Sequence, residues 1–235
     1  MRDYRTLILK TVLTHLRTNN MKKITLLLLL FITFLNVGNT QIYVDIDASG
    51  SNNGSSWVNA YTNLQDAIDA AAVNDDIWVA AGTYYPTTSP DGTTTDARDK
   101  AFHLSTDMKI YGGFAGTETL LSQRDAATNI TILSGDFNND NAMTGSGSTL
   151  AFSNNTENAY HVIITATLTS AAVIDGFTIK GGNADGGSTS ISFGGKTYGR
   201  NDGGGMINHT SLPTLAHIIF TENSAVNMGG ALLQY

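Results

Sequence analysis

The chain has no cysteine, only three prolines in 235 residues, and little charge, with Asp, Glu, Lys and Arg making up 14% of it, where about 25% is usual. Without thiols, neither a disulfide framework nor a thiolate zinc site can form. Low charge leaves little material for solvated helix faces. Basic residues are scarcest beyond the N-terminus. Six of the 13 basic and one of the 20 acidic residues lie in residues 1–40, which leaves seven against 19, a net of −12, from residue 41 on. Such a surface repels nucleic acid and anionic lipid, and neither is expected as a partner. Calcium and cationic surfaces remain compatible with it. A long apolar run is also missing. The longest, Ile24–Leu35, falls short of the roughly 20 residues a spanning helix needs.

That short run has its own meaning. MKKITLLLLLFITFLNVGNT, residues 21–40, places two lysines before the apolar stretch and small or polar residues after it. This is the order of a secretory signal peptide. Cleavage before Gln41 is expected, with no transmembrane span left afterwards. Residues 1–20 precede a good start at Met21 and read as a mis-assigned upstream extension. Residues 41–235 are the expected folded domain.

What the sequence has in abundance is glycine, 24 residues, among short apolar runs. One helix is expected, over residues 63–72. Leu64, Ala67, Ile68 and Ala71 share a helical face, and Asn63 stands where an N-cap belongs. IWVA (77–80) reads as a buried strand. Beyond it come AFHL (101–104), MKIYGGF (108–114), ITILSG (130–135), YHVIITA (160–166), AVIDGFTI (172–179), LAHIIF (215–220) and ALLQY (231–235). Short strands broken by Gly, Asn and Asp mean an all-β fold, whether sandwich, barrel or solenoid.

Internal repetition favours the solenoid. IDGFTIKGGNA (174–184) lies over LAHIIFTENSA (215–225), with Ile179 on Phe220, Gly182 on Asn223 and Ala184 on Ala225. GGGM (203–206) recurs as GGAL (229–232). FTENSA followed by GGAL resembles the FxxN and GGA[ILV] motifs of the polymorphic outer-membrane protein repeat. YVDIDASGSNNGSSWVNAYTNLQDAIDAA, DDIWVAAGTYYPT, IYGGFAGTET and TILSGD resemble the N-terminal region of large secreted bacterial β-helix proteins. The resemblance, over about residues 42–235, implies a right-handed parallel β-helix of the pectin-lyase type with an N-terminal capping helix. It also implies that ALLQY is one strand of a truncated repeat whose next turns lie outside the chain. ALLQY is expected to pair in parallel near Met206–Asn208 and to leave an open edge for association.

Motifs that carry chemistry are sparse. In DFNNDN (136–141), Asp136, Asn138 and Asp140 alternate as in calcium loops. Asn141 and Gly147 replace the Gly and Glu that a helix-loop-helix site would require. A weak calcium site and a plain polar loop are the two readings. GGKT (194–197) resembles the end of a phosphate loop, but Ser190 stands where the first Gly belongs and no helix pattern follows. His103, His161, His209 and His217 lack metal spacing, and His161 and His217 fall within apparent strands. Trp57, Trp78, Tyr84, Tyr85, Tyr111 and Tyr198 could stack on sugars.

A β-helix enzyme would cluster Asp, Lys and Arg on one sheet face, whereas a structural module would show Asn, Ser and Thr there. The strands legible in the sequence lean to the second. The expected function is a secreted or cell-surface module, extracellular or on the outer membrane. It would be adhesin-like or contact a glycan or another surface component, without catalysis and without a required cofactor, calcium being an optional ligand. The alternatives are a polysaccharide lyase or glycoside hydrolase with catalytic turns partly missing, and a non-functional fragment of a longer surface protein.

Overall fold

The computed structural model describes residues 40–92 and 96–235. The expected extension and all of the expected signal peptide but Thr40 lie outside the described residues. Thr40–Tyr235 form one compact unit, whose regular structure is almost wholly short strands. In chain order these are β1 (Gln41–Val44), helix α1 (Leu64–Ala70), β2 (Asp76–Ala80), β3 (Gly82–Tyr84), β4 (Phe102–Leu104), β5 (Lys109–Phe114) and β6 (Thr131–Ser134). An antiparallel pair follows, β7 (Ala142–Thr144) with β8 (Ala151–Ser153). Then come β9 (Ile163–Ala166), β10 (Val173–Asp175), β11 (Thr178–Lys180) and β12 (Asn183–Ala184). A hairpin, β13 (Ser190–Phe193) with β14 (Lys196–Gly199), precedes β15 (Met206–His209), β16 (Thr214–Ala216), β17 (Ile219–Thr221), β18 (Ser224–Ala225) and β19 (Leu232–Gln234).

Three parallel sheets organise these strands. Sheet A has the order β1-β2-β5-β10-β16, sheet B β17-β11-β6-β3 and sheet C β19-β15-β9-β4. From β2 onward the chain visits A, B and C in that order, four times in succession. Each strand pairs with its counterpart from the previous pass. Alternation then sends the same row of each sheet to one side. In sheet A that row is Ile42, Ile77, Ile110, Ile174 and Leu215. In sheet B it is Tyr84, Leu133, Ile179 and Phe220. In sheet C it begins Phe102, Ile163 and Met206. These side chains meet in one core, and full burial of each is worth roughly 2 kcal/mol.

Sheet C has a second buried face. Ile164, Ile207 and the partly buried Leu233 pack under Ile191, Phe193 and Tyr198 of the β13–β14 hairpin. The GGKT glycines are the turn of this hairpin. Gly194 and Gly195 both take positive φ, 56° and 72°, as a two-residue hairpin turn requires, so the phosphate-loop reading is set aside.

Expected and observed elements differ at their ends. The helix is shorter than 63–72. Asn63 caps it by accepting the Gln65 N–H at 2.9 Å, and the backbone turns extended at Ala71. AVIDGFTI and LAHIIF are each two strands with a corner inside, at Gly176 and His217, both with positive φ. His217 is therefore a corner residue and His161 precedes β9; neither lies in a strand. The repeat alignment matches the register, with Ile179 beside Phe220, Ala184 beside Ala225, and β19 parallel to Met206–Asn208. Close packing explains the glycine pairs. A Cβ on Gly182 would stand 1.9 Å from the Gly204 carbonyl oxygen, and one on Gly204 would stand 2.2 Å from that of Ser224.

Candidate functional site

The outward side of sheet A carries the densest chemistry. Opposite the isoleucine ladder run two rows in register. One contains Asp76 and Lys109; the other contains Tyr43, Trp78, Tyr111 and Asp175. Lys109 Nζ lies 3.5 Å from Asp76 Oδ1. Asp175 ends β10, and both of its oxygens are engaged. Arg124 donates to Oδ2 and to the Gly112 carbonyl, and its guanidinium lies 5.3 Å from the Tyr111 ring centroid. His217 Nδ1 lies 2.7 Å from Oδ1. Burial, with Asp76 and Asp175 adding to it, pushes the Tyr111 phenol above its ordinary value. The strands legible in the sequence leaned to Asn, Ser and Thr on a sheet face. This face instead holds Asp, Lys and Arg, because Arg124 arrives from the connection between β5 and β6 and His217 from a corner. Spacing along one strand cannot reveal either.

The other two arginines among the described residues behave alike. Arg98 donates to Asp185 at 2.6 Å and to the carbonyls of Asn158 and Asn183, with its guanidinium 4.1 Å from the Tyr160 ring centroid. Arg200 grips Asp99 with Nε at 2.5 Å and Nη2 at 2.6 Å, and lies 5.7 Å from the same Tyr160 ring centroid. Each guanidinium thus joins segments distant in sequence and is held by a carboxylate. Beside Arg200 sits His161, buried, with Nδ1 3.0 Å from the Gly203 carbonyl and Nε2 enclosed without a partner. Burial pushes this imidazole down to about 4.

The acidic loop follows β6. The buried Asp136 accepts the N–H groups of Asp140 and Asn141, each at 3.2 Å. One oxygen each from Asp136, Asp140 and Glu157 lies within 4.8 Å of the others. That spread can accommodate oxygen ligands about 2.4 Å from one calcium ion. Asn138 is exposed on the same turn. The alternating pattern therefore found two of the three carboxylates. Glu157 comes from a later segment, brought against the loop where Asn158 Nδ2 donates to Asn141 Oδ1 at 3.2 Å.

The aromatic candidates are mostly structural. Trp57 and Trp78 pack with Tyr43 and Phe114. Tyr84 and Tyr198 are buried, and burial raises both phenols. Tyr85 is half-buried beside a small cleft of about 180 Å³. No protein-family model, curated protein or solved structure matches the chain.

Proposed function

We propose that residues 41–235 are a right-handed parallel β-helix of a secreted, surface-associated protein, resembling the polymorphic outer-membrane protein repeat, that acts as a stalk or adhesin-like, glycan-contacting module without catalysis. The fourfold A–B–C order of the strands, with rows in register, supports the solenoid. The observation that carries the functional reading is the engagement of all three described arginines by aspartates, which gives the guanidinium groups a bracing role between segments. Among the described residues no helix is long and apolar enough to cross a membrane, and export rests on the pattern of residues 21–40. Mass spectrometry of the exported protein should find its N-terminus near Gln41; an intact Met1 on that form would remove the export reading.

A second reading draws on the Asp76–Lys109–Arg124–Asp175–His217 face, a grouping that a polysaccharide lyase or hydrolase could use. One assay separates the two. The module reading expects no unsaturated uronides and no new reducing ends from a panel of polyanionic and neutral polysaccharides. Release that Asp175→Asn abolishes would establish the enzyme instead. Calcium in this proposal is a weak accessory ligand of Asp136, Asp140 and Glu157. Calorimetry should show weak binding that the Asp136→Ala/Asp140→Ala pair removes, and unchanged binding in that variant would reject those ligands.

A further inference from the structure

A cleft of about 260 Å³ opens between α1, the end of β4 and the β13–β14 hairpin. Its apolar lining includes Ile68 and Met108, and its polar side carries Asp69, His103 and Ser105, with Phe193 on the hairpin. The volume lies just below the roughly 300–1,000 Å³ of drug-sized pockets, so a ligand of about one ring fits.

The polar groups are held in place. Gln65 is fully buried, and its Nε2 donates to Asp69 Oδ1 at 2.8 Å and to the His103 carbonyl at 3.2 Å. Its Oε1 accepts the His103 N–H at 3.1 Å. One amide thus fixes the backbone of His103 and one oxygen of Asp69. The imidazole is oriented as well. His103 Nδ1 lies 3.0 Å from the Ala101 carbonyl, which can only accept. In the neutral ring Nδ1 then carries the proton and Nε2 is an acceptor. Phe193 meets the imidazole edge to face at 5.0 Å.

The cleft therefore offers acceptors, a carboxylate and Nε2, beside an aromatic ring. No lysine or arginine lines it. Acceptors require a ligand rich in donors, and an aromatic ring suits the aliphatic face of a sugar. A carboxylate without a neighbouring cation repels uronates, sulfates and phosphates. We infer that this cleft binds a single neutral sugar residue, free or at the end of a glycan, with Asp69 and His103 accepting its hydroxyls and Phe193 packing on its ring. The inference rests on the glycan-contacting reading above and narrows it to uncharged sugars at a defined place.

Saturation-transfer NMR on the full chain tests it, with methyl glycosides of glucose, galactose, mannose and N-acetylglucosamine, and with galacturonate and putrescine for comparison. At least one neutral glycoside should bind with a millimolar Kd. Ser105→Trp, a filled cleft at an exposed rim position, and Asp69→Asn should each weaken binding at least tenfold. Their unfolding temperatures report whether the fold is kept, and Ser105→Trp carries the test if Asp69→Asn unfolds. Binding unchanged in Ser105→Trp overturns the inference. So does a preference for galacturonate or putrescine, or the absence of any neutral binding. Retention on immobilised neutral polysaccharide separates the two levels: equal retention of wild type and Ser105→Trp sinks the cleft but keeps the glycan reading, whereas no retention of either sinks both.

Discussion

One side-chain amide, that of Asn223, closes two backbone groups of the preceding pass. Its Oδ1 accepts the Gly182 N–H at 2.9 Å and its Nδ2 donates to the Ile179 carbonyl at 2.8 Å. This is the physical content of the Asn in FTENSA. Replacing it by Ala leaves both groups unpartnered and should cost about 1–3 kcal/mol; chemical denaturation measures this, and a loss below a few tenths would show that solvent replaces the amide. His161 offers a test by pH. Burial lowers its imidazole to about 4, against opposing pulls from the Gly203 carbonyl and from Asp99 and Asp202. In the unfolded chain it titrates near 6.5. Above about pH 6.5 both states are neutral here and nothing is lost. Between about 6.5 and 4 the unfolded state holds the extra proton, so stability falls as pH drops, by roughly 3 kcal/mol over the window. His161→Phe should flatten that part of the profile in urea unfolding at a series of pH values. A slope identical to wild type would mean that other groups cause the whole decline. Two corner residues show how side-chain contacts follow geometry. His217 and Glu222 take positive φ, 47° and 55°, where the previous pass has Gly176 and Gly181. Each reaches back to the residue before the older corner, His217 to Asp175 and Glu222 to Lys180.

At the level of elements, α1 packs on β1, β2 and β4. Through Gln65 it also supplies a strand-like partner for the free edge of β4, at His103. An uncovered edge is a site for unwanted pairing, so the helix protects as well as packs. Ile68 is buried in that contact. Ile68→Asp places an unpaired charge there and should cost roughly 3 kcal/mol or more, visible as a lower melting temperature; an unchanged one would show the helix undocked. The apolar periodicity of 64–71 made α1 legible, and repeated residues made the β10–β12 and β16–β19 registers legible. The β13–β14 hairpin was hidden because S-I-S-F and K-T-Y-G offer only weak alternation around two glycines that suggested a different motif. The outward face of sheet A was hidden for another reason. Asp175, Arg124 and His217 meet only once three separate passes are stacked, and no local spacing encodes that meeting. Asp136 and Asp140 were legible and Glu157 was not, on the same ground.

Across the molecule the two ends of the stack differ. At the first, α1 lies over the strands. At the last, β16, β17, β18 and β19 each pair on one side only, and Ile219, Val226, Met228, Leu232 and Tyr235 are exposed there. Unpaired edges with apolar side chains recruit further strands. This polypeptide is expected to self-associate with rising concentration in sedimentation experiments, and β19 should exchange its amide hydrogens faster than β9 or β15. A monomer at high concentration with β19 protected would show that the edge is shielded. The connections are equally uneven. Links from C to A are a few residues long in every pass, and those from A to B are as short at Gly176 and His217 but run over residues 115–130 between β5 and β6, whereas both antiparallel pairs, β7–β8 and β13–β14, are inserted between B and C. The registers on either side of these insertions stay intact. In-frame additions of DNA at the B-to-C seam would lengthen a loop without displacing a single ladder, so new surface could be acquired there by a gene whose C-to-A seam stays short in every pass.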